Sequence, residues 1–132
     1  MKVLVDTCIW SLALRRGSRA VLSLEERGLL ASLTRTVQSD DAVIIGPIRQ
    51  EILSGISQSA RFEKIRDALA AFPDERLISG DFEEAARLSN LCRSRGVASG
   101  GVDILLCAVS QRRNWIILTS DKGLKRCIET LK

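Results

Sequence analysis

Four acidic residues, Asp6, Glu51, Asp103 and Asp121, stand where a parallel α/β chain would gather carboxylates, and the 132-residue chain has no histidine. Asp6 ends the first apolar run, Lys2 to Val5, and Asp121 follows the last, Trp115 to Thr119. In open α/β sheets the carboxyl ends of the strands line the functional crevice. Acids at strand ends, with others near helix starts, suggest a cage of oxygens for a hard divalent cation. The lack of histidine excludes imidazole acid–base chemistry and the usual mixed zinc sites. Hydrolysis by this chain has to run on carboxylates and metal.

Each acid also has a plainer reading. Asp6 and Asp103 could simply cap helices, which Asp does well. Asp121, in Thr119-Ser120-Asp121, could be a turn residue. Glu51 sits beside Ile48, Ile52 and Leu53, where an acid is costly unless paired or metal-bound; its plain reading is a surface ion pair with Arg49 or a more distant lysine. Together the four are more telling, because all fall at one end of the predicted sheet. Close carboxylates repel one another unless a cation neutralises them. Mg²⁺ takes oxygen ligands and keeps several waters, and such a site can orient water for in-line attack on phosphorus. Asp40 and Asp41 read as solvated loop acids, Asp81 as a helix cap, and Glu25, Glu26, Glu83 and Glu84 as helix-surface charges.

The elements that must position these acids alternate between strand-like and helix-like, which favours a parallel sheet with helices on its faces. Strands are predicted at about 2–5, 42–45 and 115–118, with a weak one at 76–78. A short helix is expected from Ile9 to Arg15, broken by Gly17-Ser18. Ser23 and Glu26 have the spacing of a capping box opening a helix to about Thr36. Pro47 suits the first turn of the helix that carries Glu51 and stops near Gly55. Further helices are expected at about 60–72, from the Asp81/Glu84 pair to Arg95, from Asp103 to about Asn114, and from about Lys122.

The length suits one domain, 1–132, and is too short for two ordinary ones. No apolar run approaches the roughly 20 residues of a membrane helix. The N-terminus runs straight into a strand without a signal-peptide pattern, so a cytoplasmic location is expected. Cys8, Cys92, Cys107 and Cys127 form no CxxC pair and read as reduced thiols, mostly packing groups. A net charge of +4 suggests a polyanionic partner, with basic flanks holding a phosphate backbone around a negative centre. Three basic clusters, Arg15/Arg16/Arg19, Arg112/Arg113 and Lys122/Lys125/Arg126, could be solvated faces. The last is the best placed for RNA phosphate, being nearest Asp121. With five aromatic residues and no tyrosine, a broad base-stacking platform is disfavoured; recognition would rest on phosphates and RNA shape.

Val-Leu-Val-Asp-Thr (Val3 to Thr7), Glu-Ile-Leu-Ser-Gly (Glu51 to Gly55), Asp-Ile-Leu-Leu-Cys-Ala (Asp103 to Ala108) and Leu-Thr-Ser-Asp-Lys-Gly-Leu (Leu118 to Leu124) resemble, in order and spacing, the PIN-domain ribonucleases. Among these the chain looks most like the VapC-type toxins of bacterial and archaeal toxin–antitoxin pairs. The resemblance covers nearly the whole chain. It implies an α/β fold with a parallel four- to five-stranded sheet sandwiched between helices. It implies catalytic acids Asp6, Glu51, Asp103 and Asp121 around Mg²⁺ or Mn²⁺, with Asp6, Asp103 and Asp121 as metal ligands and Thr7 and Thr119 as supporting hydroxyls. It further implies a homodimer, inhibition by a small cognate antitoxin, and cleavage of structured RNA such as tRNA or rRNA. Leu124 replaces the family's frequent Phe, and Leu106-Cys107-Ala108 its Ile-Ala-Ala; both swaps keep apolar packing. The short tail after Asp121 leaves room for at most a reduced fifth edge strand.

The reading is therefore a metal-dependent endoribonuclease toxin of a type II pair. The alternatives are a housekeeping PIN-domain nuclease without an antitoxin, and a non-catalytic α/β interaction or phosphoacceptor module. The phosphoacceptor pattern fits poorly, since Ile78 is followed by Ser79-Gly80 rather than an acceptor Asp.

Overall fold

The central strand is the first one, β1 (Val3–Val5), and its neighbours come from far along the chain. The computed structural model describes residues 1–14 and 21–132. The Arg15/Arg16/Arg19 cluster and the Gly17-Ser18 break lie outside the described residues. On one side β1 pairs in parallel with β2 (Ala42–Val43), Val3 opposite Ala42 and Leu4 opposite Val43. On the other it pairs in parallel with β3 (Ile116–Leu118), in register from Val3 opposite Ile116 to Val5 opposite Leu118. The order is β2-β1-β3. All three strands point the same way, so their carboxyl ends share one edge of the sheet.

Seven helices join and flank the strands among the described residues: α1 (Thr7–Leu14), α2 (Leu24–Gln38), α3 (Gly46–Leu53), α4 (Ser59–Leu69), α5 (Ser79–Ser94), α6 (Gly101–Arg113) and α7 (Lys122–Thr130). Helix α1 packs on α2 and α3, while α6 packs on α5, α7 and β3. Six consecutive α6 residues, Ile104 to Val109, are buried. A helix apolar all round belongs in the interior, and α6 is the spine of its half of the molecule. Asn114 closes it in the left-handed region at φ 57°, which Asn tolerates well, and the chain turns directly into β3. On the other half, Ile44, Ile45, Ile48 and Ile52 are fully buried. Trp10 packs its ring 4.9 Å from that of Phe72 and donates its indole N–H to Val5 O at 3.1 Å, so its one polar atom is satisfied inside the core.

The expected capping box is present: Glu26 N donates to Ser23 Oγ and Ser23 N to Glu26 Oε1, each at 3.0 Å. Pro47 lies in the first turn of α3. Two expectations are corrected. The strand at 76–78 does not form, so the described sheet has three strands rather than four or five. Pro73 has no N–H to start a ladder, and pairing is limited to a single bridge between Ile44 and Asp74, with Glu75 N donating to Ile44 O at 2.8 Å. The backbone beyond is satisfied by side chains instead: Arg113 Nη2 donates to Arg76 O at 3.0 Å, and Ile78 N donates to Asp81 Oδ2 at 2.9 Å. After Asp121 the chain forms α7, and no fifth strand occurs among the described residues.

Asp81 keeps its expected capping role, its carboxylate accepting from Ile78 N at the start of α5; the second correction concerns the start of α5 and the Arg112/Arg113 pair that Asp81 also binds. Helix α5 starts earlier than expected, and Asp81 lies in its first turn, fully buried. Its carboxylate accepts from Arg112 Nε at 2.9 Å and from Arg113 Nη1 and Nη2 at 2.7 and 2.9 Å. Hydrogen bonds from Arg113 outweigh the cost of burial and hold the Asp81 carboxyl well below the usual carboxylate range. Arg113 also pairs with Glu75 at 3.2 Å and lies 5.6 Å over the Trp115 ring. Both arginines pin α6 to α5, Arg113 half-buried and Arg112 with one side still exposed to solvent.

Candidate active site

Where β1 ends, Asp6 N donates to Leu118 O at 3.0 Å, so the exits of β1 and β3 are stitched together. Asp6 is only 5 % exposed. A buried charge needs donors, and it has them: Thr7 N at 2.8 Å on Oδ1, and Thr119 Oγ1 at 2.7 Å on Oδ2. Asp6 O also accepts from Ile9 N and Trp10 N, so the residue starts α1 through its backbone while its carboxylate is turned to other partners.

Thr119 is buried at the exit of β3. Its hydroxyl donates to Asp6 and accepts from Asp121 N at 3.0 Å, bridging the two strand-end acids. Asp121 is exposed and caps α7, accepting from Leu124 N at 2.8 Å. Its plain structural role is therefore real, and its other carboxylate oxygen is not used by the cap. Glu51 projects from α3 and is exposed; Thr7 Oγ1 donates to its Oε1 at 2.6 Å. The Arg49–Glu51 ion pair considered for it is displaced, because Arg49 bonds Asp74 at 2.9 Å and the carbonyls of Leu69 and Phe72. Asp103 enters from the first turn of α6 and is half-buried.

All four acids line one open cleft of about 610 Å³, with Thr7, Cys8, Gln50 and Ser54 beside them. Burial, followed by the negative charges of Asp6, Asp121 and Glu51, pushes the Asp103 carboxyl up to about 6. The like charges that crowd Asp103 in this way would be relieved by a cation. Lys122, Lys125 and Arg126 are exposed on α7 but are not part of the cleft lining.

The donor set is oxygen-rich and hard, which suits Mg²⁺ or Mn²⁺ rather than zinc or copper. Among the described residues no three acids or thiols already stand at ligand distance around one point. The residues fit an ion that keeps most of its waters and takes one or two carboxylates plus substrate oxygens, as Mg²⁺ commonly does.

Sequence reasoning overlooked Cys8, Gln50 and Ser54. Pro47, Glu51 and Ser54 follow i, i+4, i+7 spacing and so share a helix face, a signal that could have placed Ser54 beside Glu51. Cys8 lies two residues past the first acid, at the start of α1, and that position was its clue. The other three thiols, Cys92, Cys107 and Cys127, are buried, and burial pushes the Cys107 thiol up to about 12, which fits inert packing groups.

The crystal structure of FitAcB from Neisseria gonorrhoeae is similar to this one, with a TM-score of 0.73 over 96 % of this chain and 93 % of that chain at 13 % sequence identity. That likeness speaks for the fold. A search of curated protein sequences finds no match. The sequence profile described as PIN domain matches residues 3–128, a span that contains all four acids and every strand. The chain therefore belongs to the PIN-domain family, whose members are in general nucleases.

Proposed function

We propose that this chain is a divalent-metal-dependent endoribonuclease acting as the VapC-type toxin of a type II toxin–antitoxin pair. The observation that carries the reading is the meeting of four carboxylates, from four distant segments, in one cleft with hydroxyl supports. Asp6, Asp103 and Asp121 hold the ion, directly or through its waters, and Glu51 completes the acid set. When bound, Mg²⁺ or Mn²⁺ supplies Lewis acidity toward a phosphodiester and lowers the pKa of water. Thr119 fixes the Asp6 carboxylate and Thr7 fixes Glu51, so the acids keep their aim while the cleft is open. Lys122, Lys125 and Arg126, exposed on α7 just beyond Asp121, contact backbone phosphates of an RNA such as tRNA or rRNA. Such contacts position a strand without reading its sequence.

The partners in this reading are a second copy of the chain, forming a homodimer, and a small cognate antitoxin. A basic antitoxin side chain among the four acids would replace the metal's charge and silence the site. The chain works in the cytoplasm; no described helix is long and apolar enough to cross a membrane.

The test is incubation of total RNA with purified protein in Mg²⁺, Mn²⁺ or EDTA, together with induced expression in a bacterial host. Cleavage with metal, none with EDTA, and growth arrest relieved by a co-expressed small upstream reading frame are expected. Full cleavage in EDTA would contradict the metal reading. Cleavage without growth arrest would favour the housekeeping nuclease.

A further inference from the structure

Cys8 occupies an unusual place among the four thiols. It lines the acid cleft, and its sulfur touches both strand exits. Sγ donates to Asp6 Oδ2 at 3.5 Å. On its other side it accepts from Ser120 N at 3.5 Å and from Ser120 Oγ at 3.3 Å. The Thr119 hydroxyl lies 3.6 Å away. A thiol is both a weak donor and a weak acceptor, and here both capacities are used, one on each side of the seam.

We propose that Cys8 is a positioning residue, whose sulfur ties the exit of β1 carrying Asp6 to the Ser120 turn leading into Asp121, and so sets the separation at which these two carboxylates share a divalent cation. The inference rests on the metal-dependent reading above. Three features support a positioning role over simple packing. The contacts run to polar atoms, whereas Cys92, Cys107 and Cys127 lie among the buried apolar residues. They connect segments more than a hundred residues apart in the chain. They also act on the turn immediately before Asp121, whose own amide is held by Thr119. Thr119 and Cys8 thus form two parallel links between the same acids. Thr119 joins the Asp6 carboxylate to the Asp121 backbone, and Cys8 joins it to the preceding residue.

Groups that orient metal-binding side chains commonly change metal affinity 10–100-fold when removed. The measurement is calorimetric titration of Mn²⁺ into the wild type, Cys8→Ala, Cys8→Ser and Ser120→Ala, each with its melting temperature. Cys8→Ala is expected to weaken Mn²⁺ binding about 10-fold or more. Cys8→Ser, whose hydroxyl can donate and accept in the same directions, should stay near the wild type. Ser120→Ala removes one of the two donors to the sulfur and should shift affinity in the same direction by less. Wild-type affinity in Cys8→Ala overturns the inference, as does a Cys8→Ser variant as weak as Cys8→Ala. If Cys8→Ala fails to fold, an unchanged Ser120→Ala overturns it and a weakened one supports it. Absence of Mn²⁺ binding by the wild type removes the metal reading itself, and this inference with it, whereas an unchanged Cys8→Ala beside a binding wild type removes only the role of Cys8.

Discussion

Asp103 carries the charge conflict of the site. Its carboxyl is pushed from 3.8 up to about 6 by burial and by Asp6, Asp121 and Glu51. A carboxyl whose folded pKa is raised favours folding most below its unfolded value, and that contribution is lost as pH rises through the folded one. The metal-free protein should therefore lose stability between about pH 4 and pH 7 on account of this group. Asp103→Asn should flatten that fall and raise the metal-free protein's stability at pH 7 by on the order of 1–3 kcal/mol. Thermal melts across this range check it; an unchanged pH profile in the variant would show that the Asp103 carboxyl is not raised in the folded protein. At this scale the four acids were legible because Asp6, Asp103 and Asp121 sit at a strand exit or helix start, and Glu51 sits beside apolar residues of a short helix. Cys8 and Ser54 were harder to see: their spacing to Asp6 and Glu51 places them near the site, but what a thiol or hydroxyl does there depends on what folds against it.

Between elements, Asp81 of α5 is buried under Arg112 and Arg113 of α6. Removing one partner of a buried ion pair leaves an uncompensated charge and typically costs about 3–5 kcal/mol. Asp81→Ala should destabilise the protein by about 3 kcal/mol or more, measured by urea unfolding; a loss under about 1 kcal/mol, the scale of a surface pair, would mean that the cluster is merely a solvated one. This role was hidden in the sequence. Asp81 and Glu84 have cap spacing, and nothing local shows that two arginines some thirty residues later reach back to the first turn of α5. The elements with local signatures were legible: the Ser23/Glu26 box, Pro47 at the start of α3, and the apolar run of α6. The weak strand at 76–78 was misread because two apolar residues, Leu77 and Ile78, suffice for a short strand pattern. What decides their structure is Pro73 before them and the Asp81 and Arg113 side chains that take their backbone groups.

For the whole molecule, parallel strand pairing explains why four distant segments can share a site. Because β1 is central, Asp6 leaves the sheet between its neighbours, with β2 leading into Glu51's helix on one side and β3 leading to Asp121 on the other. Helix α6 then aims its first turn, with Asp103, into the same cleft. The fold class was legible because alternation of strand-like and helix-like segments restricts topology strongly. The number of strands was not, since edge pairing depends on tertiary competition for backbone groups. A net positive chain around an acidic centre suits a polyanion held across a cation.

The most direct test of the central claim is the rate of RNA cleavage by Asp6→Asn in saturating Mn²⁺, with melting temperature measured alongside. Asn keeps the size of Asp and can still start a helix, but it removes the charge at the centre of the site. The account expects a loss of about 10²–10³-fold, on the scale of one lost transition-state-stabilising group, with the fold intact. Cleavage near the wild-type rate by a folded Asp6→Asn protein would contradict it.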